Sequence, residues 1–310
     1  MVLETGVVIK STGSRYRVLR EDGLITDCVI KGRFRVKEIN ATNPVAVGDH
    51  VKFTIDPGTN TGIITEIEER KNYIIRKASN LSKQYQIIAA NVDQVLLMVT
   101  IKMPATQQEF IDRFLATSEA YRIKTFLVFS KTDLYTESET AKMNYLIALY
   151  SKIGYSCYSI SVKTGENISA LVEILKDKIT LVAGNSGVGK SSLLNYLNPS
   201  LNLKTEEIST YHEQGKHVTT FPEMYAMPFG GFIIDTPGIK AFGIIDMEKN
   251  EIYHFFPEIF RKSAECKFHN CLHVNEPGCA VRQALESGEI DRMRYRSYLN
   301  ILKDENRKYR

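Results

Sequence analysis

The sequence lacks a transmembrane helix and a recognisable secretory signal. Nowhere do about 18 apolar residues follow one another, which excludes a transmembrane helix. The first ten residues hold no apolar core of the kind that a secretory signal needs. Cysteine is also scarce: the five cysteines are an odd number, and three stand close together, so a disulfide framework is not expected. We therefore expect a cytoplasmic protein without a membrane partner.

The sequence has little excess charge of either sign. Forty basic and thirty-six acidic residues leave a net charge of +4, and 43% of the residues are hydrophobic. This balance is typical of a folded protein and is compatible with a nucleic-acid partner, but local charge placement has to decide that question. The length of 310 residues predicts two or three domains.

Three segments differ in their pattern. Residues 1–71 read as short strands separated by Gly, Asp and Asn turns, which predicts a small barrel of the oligonucleotide-binding (OB) kind, with an SH3-like barrel as the alternative. Residues 72–244 alternate apolar strands with helices, which predicts a doubly wound parallel sheet. Residues 245–310 are mostly polar and helical around a cluster of cysteine and histidine.

A phosphate-binding loop follows the apolar strand that ends near residue 183. It matches G-x-x-x-x-G-K-[ST] and comprises Gly184, Asn185, Ser186, Gly187, Val188, Gly189, Lys190 and Ser191, with Ser192 after it. The glycines let backbone N–H groups surround phosphates. Lys190 is expected to reach the β- and γ-phosphates, and the Ser191 hydroxyl to bind Mg²⁺. A chance glycine turn is the alternative, which the strand before and the helix after the loop disfavour.

A second apolar strand ends in Asp-Thr-Pro-Gly. Asp235 stands where nucleotide hydrolases hold Mg²⁺, usually through water. The N–H of Gly238 can sense a γ-phosphate and order the loop that follows. A strand ending in a Pro-Gly turn is the alternative, but its position some forty residues after a phosphate loop favours the nucleotide site.

Two short motifs favour guanine over adenine. The first comprises Ser130, Lys131, Thr132 and Asp133, and the second Ser161, Val162 and Lys163. They resemble the Asn-Lys-x-Asp and Ser-Ala-Lys motifs of GTPases. The Asp133 carboxylate would accept from two guanine donors, and the Lys131 stem would pack over the base. Ser130 replaces the usual Asn, which weakens the first match.

The order of these motifs is unusual. Asp133 and Ser161 precede the phosphate loop, whereas ordinary GTPases carry the base-recognition motifs last. The sequence therefore predicts a circularly permuted GTPase domain, in which the strand ends keep their places and only the chain break moves. Ordering of the loop after Gly238 by a γ-phosphate could then reach the C-terminal segment.

A candidate switch lies between the phosphate loop and Asp235. In Gly215–Thr220, Thr219 or Thr220 could complete Mg²⁺ coordination, and His217 is a candidate for orienting water. A loop histidine without a role is the equally weighted alternative. Ile239 stands where many GTPases have a glutamine, so unassisted hydrolysis is expected to be slow.

The C-terminal cluster has the composition of a zinc site. Cys266, Cys271, His273 and Cys279 supply three thiolates and one imidazole, a closed set that predicts a structural Zn²⁺. Unpaired buried cysteines are the alternative, and His269 is a spare ligand candidate. Cys28 and Cys157 are expected to pack as small apolar residues.

Basic residues concentrate at the two ends of the chain. Lys31, Arg33, Arg35 and Lys37 alternate, and the C-terminal set is Arg292, Arg294, Arg296, Lys303, Arg307, Lys308 and Arg310. A strand would place the first four on one face, which suits a phosphate backbone. Solvated faces without a partner are the alternative, but two such sets flanking a GTPase favour RNA binding.

Taken together, these residues resemble the small-ribosomal-subunit-dependent GTPase family RsgA, also called YjeQ. The resemblance runs the full length and is carried by Asp133, Ser161, the phosphate loop, Gly215–Thr219, Asp235–Gly238 and the four cluster residues. It implies an OB domain, a zinc domain and a role in late maturation of the small ribosomal subunit, whose rRNA the protein binds and which stimulates GTP hydrolysis. It also implies catalysis by His217; Val218 replaces the family's usual Thr, so Thr219 is the better Mg²⁺ ligand.

The sequence thus predicts a monomeric, cytoplasmic enzyme that uses GTP, Mg²⁺ and one Zn²⁺. The alternative function is a nucleotide-gated RNA-binding module in which hydrolysis only times release. An ATP-dependent helicase or kinase is a third interpretation, but the sequence carries neither helicase motifs nor a phosphoacceptor site.

Overall fold

A computed structural model describes residues 2–30, 44–77, 85–205, 221–236 and 248–307 of the chain. Its first five strands form a barrel: β1 (Leu3–Ser11), β2 (Tyr16–Arg20), β3 (Ile25–Ile30), β4 (His50–Ile55) and β5 (Gly62–Ile67). Strands β3 and β5 are parallel, the other neighbours are antiparallel, and β1 also pairs with β4 to close the ring. This is a five-stranded barrel of the OB kind, so the predicted OB-like fold is confirmed.

The barrel interior is filled by side chains that alternate inward along the strands. Tyr16 and Val18 of β2 are buried, while Arg17 between them is exposed. Cys28 of β3 joins the same apolar cluster, and burial raises the pKa of its thiol to about 12. Cys28 therefore packs as a small apolar residue, as predicted. A Cβ at Gly62 of β5 would clash with the Cys28 sulfur, so the close approach of β5 to β3 at this point requires glycine.

A hairpin that the sequence patterns did not predict follows the barrel. It pairs β6 (Tyr73–Lys77) with β7 (Tyr85–Ala90) in antiparallel fashion. The Ala90 N–H donates to the Val47 carbonyl (2.8 Å), which ties the hairpin to the end of the barrel. Gly48 has a φ of +92°, and a Cβ there would clash with the Ala90 carbonyl oxygen. The barrel and the hairpin are therefore in close backbone contact.

The central sheet has the strand order β10-β9-β8-β11-β13-β12. Its strands are β8 (Gln94–Val99), β9 (Lys124–Phe129), β10 (Ser156–Ser159), β11 (Ile179–Ala183), β12 (Glu223–Ala226) and β13 (Phe232–Asp235). The first five in spatial order are parallel, and β12 is antiparallel to β13. The predicted parallel sheet is confirmed; the short strand β12 was missed.

Helices cover both faces of the central sheet. They are α1 (Gln108–Ala120), α2 (Glu137–Ile153), α3 (Ile168–Leu175) and α4 (Lys190–Leu197). Successive residues of β8 point to opposite faces: Leu97 packs with α1 and α2, while Leu96 and Met98 pack with α3 and α4. All six residues of β8 are buried, as expected for a strand between two helical layers.

The barrel and the central sheet form one continuous sheet. Strand β1 pairs with β12 at Lys10 and Glu223, and the Lys10 Nζ lies 2.9 Å from a Glu223 carboxylate oxygen. Since β12 in turn pairs with β13, the barrel is two strands away from the strand that carries Asp235. The candidate switch precedes β12 in the chain, so the barrel lies close to the point at which the chain enters β12.

The C-terminal segment consists of short helices around the cysteine cluster. After a turn of 3-10 helix (Ile252–Phe255) come α5 (Pro257–Ser263), α6 (Ala280–Glu286) and α7 (Arg292–Arg307). Phe256, Ile259 and Tyr298 form its core together with Cys271 and Cys279. Within the described ranges, no helix combines the length and apolar character that a membrane span requires.

Only some residues of the C-terminal basic set are exposed. Arg292, Arg296 and Lys303 are exposed, but Arg294 is 0% exposed. Its guanidinium lies 2.8 Å from Glu258 of α5 and 2.9 Å from Asp112 of α1. The prediction that Arg294 belongs to an RNA-facing set is therefore wrong. A helix period alone does not reveal burial, because α1 comes from a distant part of the chain.

Candidate functional site

The predicted nucleotide motifs meet at one edge of the central sheet. Strands β9 and β10 end at the two base motifs, β11 at the phosphate loop, and β13 at Asp235. All four strands run in the same direction, so their carboxyl ends share this edge. Strand β8 lies between the base motifs and the phosphate motifs. In open α/β sheets this edge is where ligands bind.

The phosphate loop depends on glycine at three positions. Gly184, Gly187 and Gly189 have φ values of +143°, +79° and +100°, in the region that favours glycine. A Cβ at Gly184 would clash with the Met98 carbonyl oxygen of β8. Val188 is fully buried beneath the loop in the apolar core. The loop is thus held close to β8, with Ser186 and Gly187 at its exposed side.

Lys190 begins α4 and folds back over the loop. Its Nζ donates to the carbonyl oxygens of Gly184 and Asn185, each at 2.8 Å. Ser191 and Ser192 follow in the first turn of α4 and are half-buried. A cationic side chain beside the N-terminus of a helix is an arrangement that binds phosphate.

Asp235 and Thr236 lie at the end of β13 beside β11. Asp235 is paired in register with Val182, just before the phosphate loop. Burial raises the pKa of Asp235, while the charge of Lys190 acts to lower it. Among the described residues, the buried Asp235 Oδ1 and Thr236 Oγ1 have no hydrogen-bond partner. A buried carboxylate oxygen left free next to a phosphate loop fits Mg²⁺ and its bound water.

The two base motifs are joined by a hydrogen bond. The Ser161 hydroxyl donates to Asp133 Oδ1 at 2.7 Å and accepts from the Thr164 N–H at 3.2 Å. Ser161 is fully buried and Asp133 is exposed, so the serine fixes the carboxylate from below. A carboxylate has about four lone-pair sites, which leaves capacity for two further donors. Val162 is half-buried and Lys163 exposed beside them.

Ser130 connects the first base motif to the phosphate loop. Ser130 is buried, and its hydroxyl donates to the Val188 carbonyl oxygen at 2.5 Å. The departure from the usual Asn, which weakened the sequence match, therefore keeps a polar link between base and phosphate motifs. The sequence shows the hydroxyl but not its partner, because Ser130 and Val188 lie in different motifs.

Lys131 and Thr132 are held by residues that no motif singled out. Lys131 has a φ of +62°, and its Nζ donates to the Met103 carbonyl oxygen at 2.8 Å. Partial burial lowers the pKa of Lys131, opposed by the Asp133 charge. The Thr132 hydroxyl donates to a Glu166 carboxylate oxygen at 3.0 Å. Met103 and Glu166 lie in loops without a recognisable pattern, so the sequence offered no signal for them.

The four predicted zinc ligands come together. One ligand atom from each of Cys266, Cys271, His273 and Cys279 lies within 4.8 Å of the others. The His273 Nδ1 is 3.5 Å from both the Cys266 and the Cys279 sulfur. His269, the spare candidate, is exposed and is not part of the cluster. Three thiols and an imidazole converging in this way could hold one Zn²⁺.

The cluster is supported from α7. The Tyr295 hydroxyl donates to the His273 carbonyl oxygen (2.6 Å), and the Tyr298 hydroxyl to that of Leu272 (2.7 Å). Burial raises the pKa of Cys271 to about 12 and lowers that of His273. A divalent cation would reverse the first of these effects, because a thiolate is the form that binds metal. The geometry and the donor set both fit a structural metal.

Several predicted residues lie outside the described ranges. These are the basic strand residues Lys31, Arg33, Arg35 and Lys37, the switch residues His217, Thr219 and Thr220, Gly238 and Ile239 after Asp235, and Lys308 and Arg310 of the C-terminal basic set. Their predicted roles stay predictions.

The chain matches known proteins over nearly its whole length. It matches the family model for the RsgA GTPase over residues 67–245 and that for the RsgA N-terminal domain over residues 5–64. A small ribosomal subunit biogenesis GTPase RsgA of Bacteroides fragilis is 56% identical over 306 residues, covering 98% of each chain. The protein of the same description in Christiangramia forsetii is 52% identical over 307 residues, again with 98% of each chain covered.

Two solved structures share the fold. YjeQ from Thermotoga maritima has a TM-score of 0.77 at 37% identity, over 98% of each chain. YloQ, described as a circularly permuted GTPase, has a TM-score of 0.75 at 32% identity, over 99% of this chain and 96% of its own. The predicted permutation of the GTPase domain is thereby confirmed.

Proposed function

The chain belongs to the RsgA GTPase family, and on that premise we propose that it hydrolyses GTP to GDP and phosphate during late maturation of the small ribosomal subunit. One observation carries the nucleotide assignment. Hydrogen bonds run from Ser161 to Asp133, and from Ser130 to the Val188 carbonyl, so base recognition is linked to the phosphate loop.

The base and phosphate groups have distinct partners in this proposal. Asp133 accepts from the guanine N1 and N2 donors, which adenine lacks in that arrangement, and Lys131 packs its stem over the base. The backbone of residues 184–189 surrounds the α- and β-phosphates, and Lys190 neutralises the β- and γ-phosphates. Support comes from the shared edge of the sheet, where all these groups converge.

The metal at the phosphates is Mg²⁺ in this proposal. Ser191 and Thr219 hold it directly and Asp235 holds it through water, which gives the free Asp235 Oδ1 a partner. Mg²⁺ supplies neutralisation of the charge that develops on the phosphate oxygens. The N–H of Gly238 binds the γ-phosphate, and His217 orients the attacking water. Because Ile239 cannot orient water, the small ribosomal subunit is needed to complete the site.

RNA-facing surfaces bind the subunit in this proposal. The residues proposed for rRNA phosphates are Lys31, Arg33, Arg35 and Lys37 of the barrel, and Arg292, Arg296 and Lys303 of the C-terminal helix. The last three are exposed. Neutralising them together should weaken subunit binding and make it less dependent on salt, by about one unit of slope for each phosphate that is no longer neutralised. The protein acts as a cytoplasmic monomer, with the cysteine cluster holding one Zn²⁺.

Hydrolysis measured with and without purified small ribosomal subunits tests the proposal. We expect slow release of phosphate from GTP alone and strong stimulation by the subunit. Lys190→Ala should lower the stimulated rate by on the order of 100-fold, as expected for loss of a charge-stabilising group. Lys176→Ala, which changes an exposed lysine at the end of α3, is the matched control and should not change the rate. Absence of stimulation by the subunit would overturn the proposal.

The same variant separates hydrolysis from gating. If Lys190→Ala still binds subunits in response to GTP and still supports their maturation, the protein is a nucleotide-gated RNA-binding module. If maturation stops while binding persists, hydrolysis is part of the function.

A further inference from the structure

The loop between β8 and α1, residues 100–107, is held in shape by its own hydrogen bonds. The Thr100 hydroxyl donates to the Pro104 carbonyl oxygen at 2.5 Å. The Thr106 N–H donates to the Thr100 carbonyl at 2.8 Å, and the Thr106 hydroxyl accepts from the Thr100 N–H at 3.1 Å. Thr100 is 1% exposed, so these bonds are protected from water. The loop therefore presents a fixed turn at Met103–Pro104.

One side of this β8–α1 loop is bonded to the first base motif. The Lys131 Nζ donates to the Met103 carbonyl oxygen at 2.8 Å. The Tyr135 hydroxyl accepts from the Ile101 N–H (2.9 Å) and donates to the Ser130 carbonyl (2.6 Å). The loop is thus connected to the base motif at two points. One of them is the side chain that would lie over the base.

The other side of the loop contacts the phosphate loop. A Cβ at Gly187 would lie 3.3 Å from the Pro104 Cδ, so the proline ring packs against the exposed part of the phosphate loop. Gly187 itself has a φ of +79°. The Met103–Pro104 turn therefore spans the distance between the phosphate loop and Lys131. No nucleotide motif includes it.

We propose that the Met103–Pro104 turn is a positioning element for the guanine base. Pro104 packs against Gly187 and thereby fixes the Met103 carbonyl. This carbonyl accepts a hydrogen bond from the Lys131 ammonium, so the lysine side chain is already ordered before the nucleotide binds. Lysine is among the most flexible side chains, and ordering it on binding would cost affinity. Holding it beforehand removes that cost, which corresponds to about a 3- to 10-fold gain in affinity. The inference rests on the proposed role of Lys131 in base packing.

The test uses four variants of the full chain: Pro104→Gly, Lys131→Met, the two combined, and Pro57→Gly as a matched control. Pro57 is an exposed proline in a turn of the barrel. Affinity for GDP is measured by titration with a GDP analogue carrying a fluorescent group on the ribose. Pro104→Gly should weaken binding about 3- to 10-fold, and Lys131→Met at least as much. The combined variant should match Lys131→Met alone, because without the ammonium the carbonyl has nothing to hold.

A purely structural role for the turn predicts that Pro104→Gly lowers kcat without changing KM. In our proposal Pro104→Gly raises KM for GTP and leaves kcat at saturating GTP within about 2-fold, since it removes a ring contact with Gly187 but leaves Lys190, Ser191 and Asp235 in place. Pro104→Gly should also weaken the binding of GDP and of inosine diphosphate by the same factor, because a lysine stem packed over the base does not contact the guanine amino group. Loss of kcat without a change in KM would overturn the proposal. If Pro104→Gly fails to fold, Thr100→Val, which removes the hydroxyl that secures the turn, takes its place.

The outcomes separate this inference from the proposed function. If Lys131→Met leaves affinity unchanged, the assignment of Lys131 to the base fails, and the inference with it. If Lys131→Met weakens binding but Pro104→Gly and Thr100→Val do not, only the inference fails. Effects that add in the combined variant would mean that the turn acts independently of Lys131, which also overturns it.

Discussion

Replacing Arg294 should uncouple the C-terminal segment from the GTPase domain. Its guanidinium makes three hydrogen bonds to two carboxylates: 2.8 and 3.2 Å to Glu258 and 2.9 Å to Asp112. Arg294 and Asp112 are both 0% exposed, and the guanidinium also lies 4.6 Å from the centre of the Phe256 ring. Asp112 belongs to α1 and Glu258 to α5, so one side chain joins the two parts of the molecule.

Arg294→Met keeps most of the volume and removes the charge. Asp112 and Glu258 are then left without their cation in a dry environment, and removing one partner of such a buried group costs about 3–5 kcal/mol. A surface ion pair would cost at most about 1 kcal/mol, so the magnitude tests whether the pair is buried. For a cooperative unit of ordinary size, the expected loss lowers Tm by roughly 6–20 °C.

The loss should depend on pH in a defined direction. Burial raises the pKa of Asp112, and the charge of Arg294 acts against that rise. Without Arg294 the folded-state pKa of Asp112 rises further above its unfolded value. Its native state then binds more protons than the unfolded state, so stability increases as the pH falls through that pKa. The difference between Arg294→Met and the parent should therefore shrink as the pH is lowered from about 8 towards about 5.

Thermal and urea unfolding of the full chain at several pH values provide the assay. The double variant Arg294→Met/Asp112→Asn is the control, because it also removes the Asp112 carboxylate that Arg294→Met leaves without a cation. The asparagine amide can still hydrogen-bond to Tyr150 and Ser297, whose hydroxyls donate to Asp112 in the parent. It should recover part of the stability and lose much of the pH dependence. A loss below about 1 kcal/mol, or one that is equal at the two ends of that pH range, would refute the reasoning.

Three further predictions concern the proposed sites. Ser130→Ala leaves the buried Val188 carbonyl without its donor and should weaken GDP binding about 5- to 100-fold, measured by fluorescence titration; Ser130→Thr, which keeps the hydroxyl, is the control, and equal affinities of parent and Ala variant would count against the link. Asp133→Asn replaces an acceptor by a group that also donates, so affinity for GDP should fall by at least about 10-fold while affinity for xanthosine diphosphate rises. An unchanged preference for GDP over xanthosine diphosphate would mean that Asp133 does not recognise the base. Cys279→Ser should reduce bound zinc from one per chain, measured by atomic emission, whereas His269→Ala should not; equal loss in both would contradict the ligand set.

The parts of the fold tied to fixed local patterns were predictable. The phosphate loop, the end of β13 and the base motifs have set spacings and must follow apolar strands, so the parallel sheet and the permuted order could be predicted from those strands alone. The convergence of Cys266, Cys271, His273 and Cys279, which could hold one Zn²⁺, was also predictable, because the four residues lie close together in the sequence. Short strands separated by Gly, Asp and Asn turns likewise predicted the barrel.

The parts that depend on distant partners were not predictable. Strand β12 has four residues and exists because β13 and β1 pair with it on either side. The hairpin of β6 and β7 has no clean alternation, since consecutive residues 87–90 of β7 are all buried. Arg294 carries a charge in a helix that looks solvent-facing, and only the approach of α1 buries it. Met103 contributes a backbone carbonyl, which no residue type can signal.

The pairing of β1 with β12 has a consequence for solubility. An open edge of a sheet is a template for pairing with other chains, and proteins avoid this with short or covered edge strands. Both outer strands of the central sheet, β10 and β12, have only four residues, and the barrel covers part of β12 at Lys10 and Glu223. A chain cut after the barrel would expose that edge. The barrel is therefore expected to protect the enzyme from self-association, independently of any contact it makes with RNA.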